Sequence, residues 1–399
     1  MHHEPLLVTR VVVSLLVISR LIFQLFATEG RIDRPLIAVA DDFQIVQANG
    51  DAVRPDKAGG AYDEAAFARF PTWMWRNQEV ANFVDWLRAY NEQLPAEHRT
   101  AFYGLDVYSL RGSVAAVLEY LDQHDPAAAV EARRRYGCLT PWQSDPSQYG
   151  LSVLRGQSDP CEDAVVSQLS DILARQLKAG DGEDVFDAAQ NARVVHAAER
   201  YYRIMYRGST ESWNQRDRHM FDTLQTLLER DPRNKIVVWA HNSHIGDASA
   251  TSMGWEGQFN IGELAKRSYG DAAVLIGFGT NSGTVAAADD WDGPMQLKDV
   301  RPAHHDSYEK AFEDAGVACS LTDLRPQANR ELLAALSVVH LERAIGVIYR
   351  PETERWSHYF EAVLPAQFDA YVWFSTTRAV KALPSEAPHG VPETYPFGT

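Results

Sequence analysis

Six short runs constrain this chain more than any other feature: Leu36–Ala40 (LIAVA), Phe102–Val107 (FYGLDV), Lys235–Ala240 (KIVVWA), Ala273–Phe278 (AVLIGF), Ala344–Tyr349 (AIGVIY) and Asp369–Phe374 (DAYVWF). Each is apolar at most positions and bounded by turn or cap residues, the pattern of strands covered on both faces. Between them, apolar residues recur at helical spacing. Val80, Phe83, Val84 and Leu87 mark one stripe and predict a helix over Asn77–Leu94. Further helices are expected over Ser113–Asp122, Asp125–Tyr136, Glu162–Gly180, Val185–Tyr206 and Trp213–Arg230. Strands alternating with helices predict an α/β fold, a central and largely parallel sheet flanked by helices. Residues 112–230 carry no strand pattern and read as a lid-like helical insertion over one end of the sheet. The α/β core is then 35–111 together with 231–383, preceded by a divergent segment, 1–34. A loosely held tail rich in Pro and Gly, 384–399, follows.

Composition narrows the function classes. With 45% apolar and 23% charged residues, a chain of 399 residues has ample material for a buried core. A net charge of −16 argues against a nucleic-acid partner, because neutralising phosphates needs clustered Lys and Arg. Cys138, Cys161 and Cys319 match no zinc spacing, and an odd count makes a poor disulfide framework. Cys138 and Cys161 are near enough to pair across a helical segment, but reduced thiols and a cytoplasmic location are the preferred reading. Val11–Phe26 is strongly apolar but interrupted by Arg20. It reads as a buried first helix rather than as a membrane span or export signal, since a span needs about 20 apolar residues.

The sharpest chemical signal is KIVVWAHNSHIGDA, Lys235–Ala248, in which an apolar strand runs into His241 and His244. Ligands of open α/β sheets bind beyond the carboxyl ends of strands, so two histidines there stand where acid/base chemistry is done. The alternative for His241 is a cap bonded to a neighbouring carbonyl. A zinc site lacks the helical His-Glu-x-x-His context, so no metal or other cofactor is expected. Asp106 ends another apolar strand and has two readings, a carboxylate that orients a histidine and a helix cap. In RFPTWMWRN, Trp73 reads as core, whereas Trp75 and Arg76 are candidates for lining and anchoring a substrate. In WNQRDRHM, Arg216 and Met220 fall one turn apart and offer a cation beside an adaptable thioether. The glycines of GFGTNSGT, Gly277–Thr284, suggest a turn leading into a hairpin and, less specifically, backbone donors for an oxyanion. Gly-x-Ser-x-Gly, a Walker loop and a dinucleotide fingerprint are absent from the sequence.

These segments, with NIGEL, SYE and ERAIGVIYRPETERWSHYF, occur in the order found in the erythromycin esterase family, which the chain resembles from about Phe67 to Leu383. The resemblance implies a small-molecule ester or lactone substrate, macrolides included, hydrolysed by histidine-activated water without a metal. It matches His241 and His244 to the family's AHNxH histidines and places Arg76, Asp106, Arg216 and Glu309 in its other recurring segments. The family pattern begins with a Gly-Glu-x-x-His-Gly-type segment bearing the proposed base, and that segment has no counterpart here. His3-Glu4 resembles the second family stretch, and Ala40-Asp41-Asp42-Phe43 stands where Glu-Ala-Asp-Trp is expected. Asp42 is accordingly a candidate acid partner for the histidines. The departure leaves two readings: an ester hydrolase whose turnover is impaired at a truncated or divergent start, and a homologue that binds small molecules without turnover.

Overall fold

The computed structural model describes residues 34–39, as a backbone strand, and 71–384 apart from 96, 97, 143, 144, 180, 181 and 232. The expected first helix, His3, Asp42 and the tail beyond Pro384 lie outside the described residues. The strands are β1 (Arg34–Val39), β2 (Ala101–Gly104), β3 (Asn234–Trp239), β4 (Ile276–Ala287), β5 (Gln296–Val300), β6 (Cys319–Asp323), β7 (His340–Arg343), β8 (Tyr359–Ala362) and β9 (Ala370–Thr377). The helices that matter here are α1 (Gln78–Glu92), α2 (Leu110–His124), α3 (Pro126–Tyr136), α4 (Pro146–Leu154), α5 (Glu162–Ala179), α6 (Glu183–Ile204), α7 (Ser209–Glu229), α8 (Asn242–Ile245), α9 (Ile261–Tyr269) and α10 (Tyr308–Asp314).

The chain is α/β, but the single sheet expected from the sequence is divided. β1 lies between β2 and β3 in an all-parallel sheet, with Ile37 opposite Phe102 on one side and Val237 on the other. A second, mixed sheet runs β5-β4-β9-β6, and only its central pair, β4 and β9, is parallel. β7 and β8 form a separate antiparallel hairpin. Between the two larger sheets, a side chain stands in for a strand. The Asn242 amide accepts the Phe278 N–H at 3.1 Å and donates to the Phe278 carbonyl at 2.8 Å, as a facing peptide would.

Two local expectations fail for identifiable reasons. Ala344–Tyr349 forms no strand; the ladder stops at Arg343, and Val347 and Tyr349 clasp Ala288 through two backbone bonds of 2.9 and 3.1 Å. The glycine-rich segment after Ile276 does not turn into a hairpin either, for β4 runs straight through it to Ala287. Those glycines serve close packing instead. A Cβ on Gly279 would stand 2.1 Å from the Tyr371 hydroxyl, and one on Gly277 would stand 2.7 Å from the Phe368 ring.

All elements described between β2 and β3 are helical. Leu110, Val114, Val117 and Leu121 make the apolar stripe of α2, and all four are buried. Asp125 opens α3 by accepting the Ala128 N–H at 3.1 Å, and Pro126 sits at the first helical position, where its missing N–H costs nothing. α6 runs through the middle of this block against α2, α4 and α5, and it is buried along most of its length. Cys138 and Cys161 are disulfide-bonded between the end of α3 and the start of α5. The expectation of reduced thiols is corrected there, and the support it lent to a cytoplasmic location goes with it. Among the described residues, no helix is long and apolar enough to cross a membrane.

Candidate active site

β3 delivers the chain to a sharp bend. His241 keeps an extended backbone and caps the single turn α8, its Nδ1 accepting the Ser243 N–H at 3.2 Å with the Ser243 Oγ at 2.9 Å. Because Nδ1 accepts, the ring proton belongs on Nε2, which faces the Ile345 carbonyl at 3.2 Å. Burial, and His244 beside it, hold the ring's pKa down at about 4, so His241 is neutral at physiological pH. These bonds are those of the structural alternative, a cap and a carbonyl.

His244 is set differently. Its ring is buried, and Nδ1 lies 3.0 and 3.1 Å from the two oxygens of Asp217. Trp213 stacks against it, 4.5 Å between ring centres and 4° from parallel. Both partners come from α7, one turn apart, so a single helix fixes the plane and the rotation of the imidazole. Asp217 is fully buried and also accepts the Ile261 N–H, the first of α9, at 3.1 Å. Burial raises its pKa, opposed by His244, Arg216 and the Ile261 N–H. A carboxylate facing Nδ1 assigns the proton to Nδ1 and leaves Nε2 as the acceptor. No described residue bonds that Nε2.

The neighbouring residue on α7 makes a second pair. Arg216 grips Asp106 with Nε at 3.0 and 3.1 Å from the two oxygens and Nη2 at 2.7 Å, while the Val107 N–H bonds the same carboxylate at 2.7 Å. Burial works to raise the pKa of Asp106. The Arg216 charge and hydrogen bonds outweigh it, with smaller help from Val107 and His244, and the carboxyl ends below its ordinary range. The guanidinium also lies over the Tyr108 ring at 4.8 Å, and the Tyr108 hydroxyl meets that of Tyr201 at 3.1 Å. Consecutive residues of one helix thus hold the end of β2 and the turn after β3.

A protein-family model described as erythromycin esterase matches residues 35–377. The chain belongs to the erythromycin esterase family. Solved structures give the same fold at low sequence identity. A succinoglycan biosynthesis protein superposes with a TM-score of 0.72 at 18% identity, over 92% of this chain and 86% of the other. A protein from Bacillus cereus gives 0.72 at 16%, over 93% and 86%. A histidine-to-asparagine mutant of the erythromycin esterase EreC, in its open conformation, gives 0.59 at 17%, over 91% and 86%.

Within this erythromycin esterase fold, several residues expected at the site stand elsewhere. The carboxylate bonded to His244 is Asp217 rather than Asp106. Trp75 is buried edge-on against Trp239 at 5.1 Å, in a cluster with Val80 and Phe83, and so is core rather than pocket wall. Met220 is fully buried beside Tyr103, Leu105 and Phe186. The face of α7 that carries Arg216 and Met220 is packed onto the β2 segment, which is why neither projects as a free surface pair. Arg76 ties down the carboxyl-terminal chain; its Nε donates to the Pro384 carbonyl at 2.8 Å and its carbonyl accepts the Leu383 N–H at 3.0 Å. Glu309 on α10 is buried and accepts the Arg343 N–H at 2.9 Å.

Asp217, Trp213 and Asn242 are the site residues that sequence reasoning passed over. Trp213 and Asp217 lie in the segment WNQRDRHM and Asn242 between the two histidines, but the local pattern assigns none of the three a role. Among the described residues, one group gathers metal-type donors, His304, His305 and Asp306, with ligand atoms within 4.8 Å of one another. Its members bond one another, and the His304 N–H donates to the Tyr359 hydroxyl at 3.0 Å, away from His241 and His244.

Proposed function

We propose that this protein hydrolyses carboxylic esters, macrolide lactones among them, with His244 as the base and no metal in the proton transfers. The observation that carries the proposal is the Asp217–His244 bond, which favours the Nδ1–H tautomer and so leaves Nε2 as the acceptor that a water molecule requires. Nε2 takes a proton from water as the oxygen attacks the ester carbonyl, and then returns it to the departing alkoxide. Asp217 stabilises the imidazolium formed between the two steps without taking its proton. His241, neutral, offers the Nε2–H now resting on the Ile345 carbonyl to the oxyanion that develops. Arg216 and Asp106 hold α7 in register, and membership of the erythromycin esterase family supports the substrate class.

A second reading is favoured by Ala40, which stands where the family pattern has a glutamate: a protein that binds such molecules and does not turn them over. The test is a hydrolysis screen over macrolides and simple aryl esters with wild type and His244→Ala. The proposal expects product from wild type and at least a hundredfold less from the variant. Equal rates from the two would end it, and saturable binding without product would favour the second reading.

A further inference from the structure

Asn242 ties the histidine turn to the second sheet, and something must tie Asn242. One amide hydrogen goes to the Phe278 carbonyl; the other goes to Glu342 Oε1, at 3.0 Å. Glu342 is fully buried on β7. Beside it, from α10, stands Glu309, whose Oε1 accepts the Arg343 N–H at 2.9 Å. The Tyr371 hydroxyl turns toward Glu309 and the Gln367 side chain toward Glu342, but no close hydrogen bond reaches the buried second oxygen of either carboxyl or the Gln367 Oε1.

The Arg343 charge relieves Glu309 only in part, burial still holding that carboxyl above its ordinary range, and it does not relieve Glu342. Arg343 turns its guanidinium away, to the carbonyls of Thr280, Asn281 and Arg301 and to Glu354. Tyr308 bonds the carbonyls of Leu336, Val338 and Ala362, and burial holds the proton on Tyr371. Two buried carboxyls, with a surplus of acceptors and no cation between them, call for a proton. In keeping with that, burial and then the neighbouring Glu309 push the Glu342 carboxyl up to about 8, against the opposing bonds of Gln367 and Asn242.

We propose that Glu342 is a positioning residue acting as the protonated member of a buried carboxyl pair with Glu309. Its Oε1 accepts from Asn242 while Oε2 keeps the proton, so that Asn242 holds the His241–His244 turn against β4. The effect on turnover rests on the esterase reading; the effect on stability does not.

Glu342→Gln keeps an acceptor and a donor but cannot titrate. The native protein keeps a proton that the unfolded chain releases near the ordinary carboxyl range. The contribution of Glu342 to wild-type stability therefore falls as pH rises from about 4.5 toward 8 and levels above it. Thermal unfolding of the two proteins from pH 5 to 9 is expected to show the Tm of wild type falling relative to that of Glu342→Gln as pH rises toward 8, the other titrating groups being common to both. Parallel curves would overturn the proposal. So would a chelator that lowers the wild-type Tm and leaves the variant unmoved, since a bound cation would then hold the pair.

On an ester substrate, Glu342→Leu leaves Asn242 short of an acceptor and is expected to lower kcat at least tenfold with KM little changed. Glu342→Gln is expected to recover kcat to within about threefold of wild type, the size of effect left when a buried neutral bond is kept. Wild-type kcat in Glu342→Leu would overturn the positioning role. Should no ester be hydrolysed by any form, the esterase reading fails and the pH–stability comparison still decides this one.

Discussion

Asp217→Asn is the smallest change that tests how His244 is held. It keeps the volume and removes the charge, and it leaves one oxygen for two donors, the His244 Nδ1–H and the Ile261 N–H. If that oxygen stays with the fixed backbone N–H of α9, the amide nitrogen faces Nδ1 and forces it to accept. The ring proton then moves to Nε2, which can no longer take one from water. General-base catalysis contributes roughly 10²–10⁴ in rate, and the same exchange in a Ser-His-Asp triad costs about 10⁴, so the barrier should rise by about 3–5 kcal/mol. The expected result is a kcat lower by that factor with KM little changed, measured by steady-state hydrolysis of the best substrate of the screen. Stability should move much less, because the lost charge-assisted bond, about 1.5–3 kcal/mol, is offset by no longer burying a carboxylate. A variant that folds and hydrolyses within threefold of wild type would refute the tautomer argument.

Three further outcomes follow from the same geometry. Asp106→Ala strands the buried Arg216 guanidinium and is expected to destabilise by roughly 3–5 kcal/mol, read as a lower denaturant midpoint; an unchanged midpoint would mean the pair is dispensable. His241 and His219 are both held at about 4 by burial, and the unfolded chain takes up protons near 6.5. Stability should therefore fall as pH drops from about 6.5 to 4, by up to about 3 kcal/mol for each ring, and His219→Gln should flatten part of that slope in chemical denaturation. Cys138 and Cys161 are separated by 23 residues, so Cys138→Ser or reduction should cost about 3 kcal/mol in the loop-entropy picture, and equal stability with and without reductant would contradict it.

What could be read from the sequence divides along burial. Five of the six apolar runs fall in β1, β2, β3, β4 and β9, strands of the two larger sheets. The strands that went unread are shorter or lie at edges. Cys319–Asp323 alternates half-buried and exposed side chains, and Gln296–Val300 is largely exposed, so neither shows a continuous apolar run. α1 and α3 begin within a residue of their expected starts because Asn77 and Asp125 announce their caps. The histidine turn was legible because a strand end is a local pattern. Its partners were not: Asp217 meets His244 across 27 residues, and Arg216 meets Asp106 across 110, pairings decided by how α7 docks rather than by either segment alone. The same holds for Glu342, 100 residues from the Asn242 it bonds.

The most direct measurement is the tautomer of His244. Long-range ¹H–¹⁵N correlation on ring-labelled protein at pH 8, above the ordinary imidazole range, separates a protonated nitrogen from a bare one. The Asp217 bond predicts a protonated Nδ1 and a bare Nε2 in wild type, with the two exchanged in Asp217→Asn. A proton found on Nε2 of the wild-type ring would contradict the assignment of His244 as base.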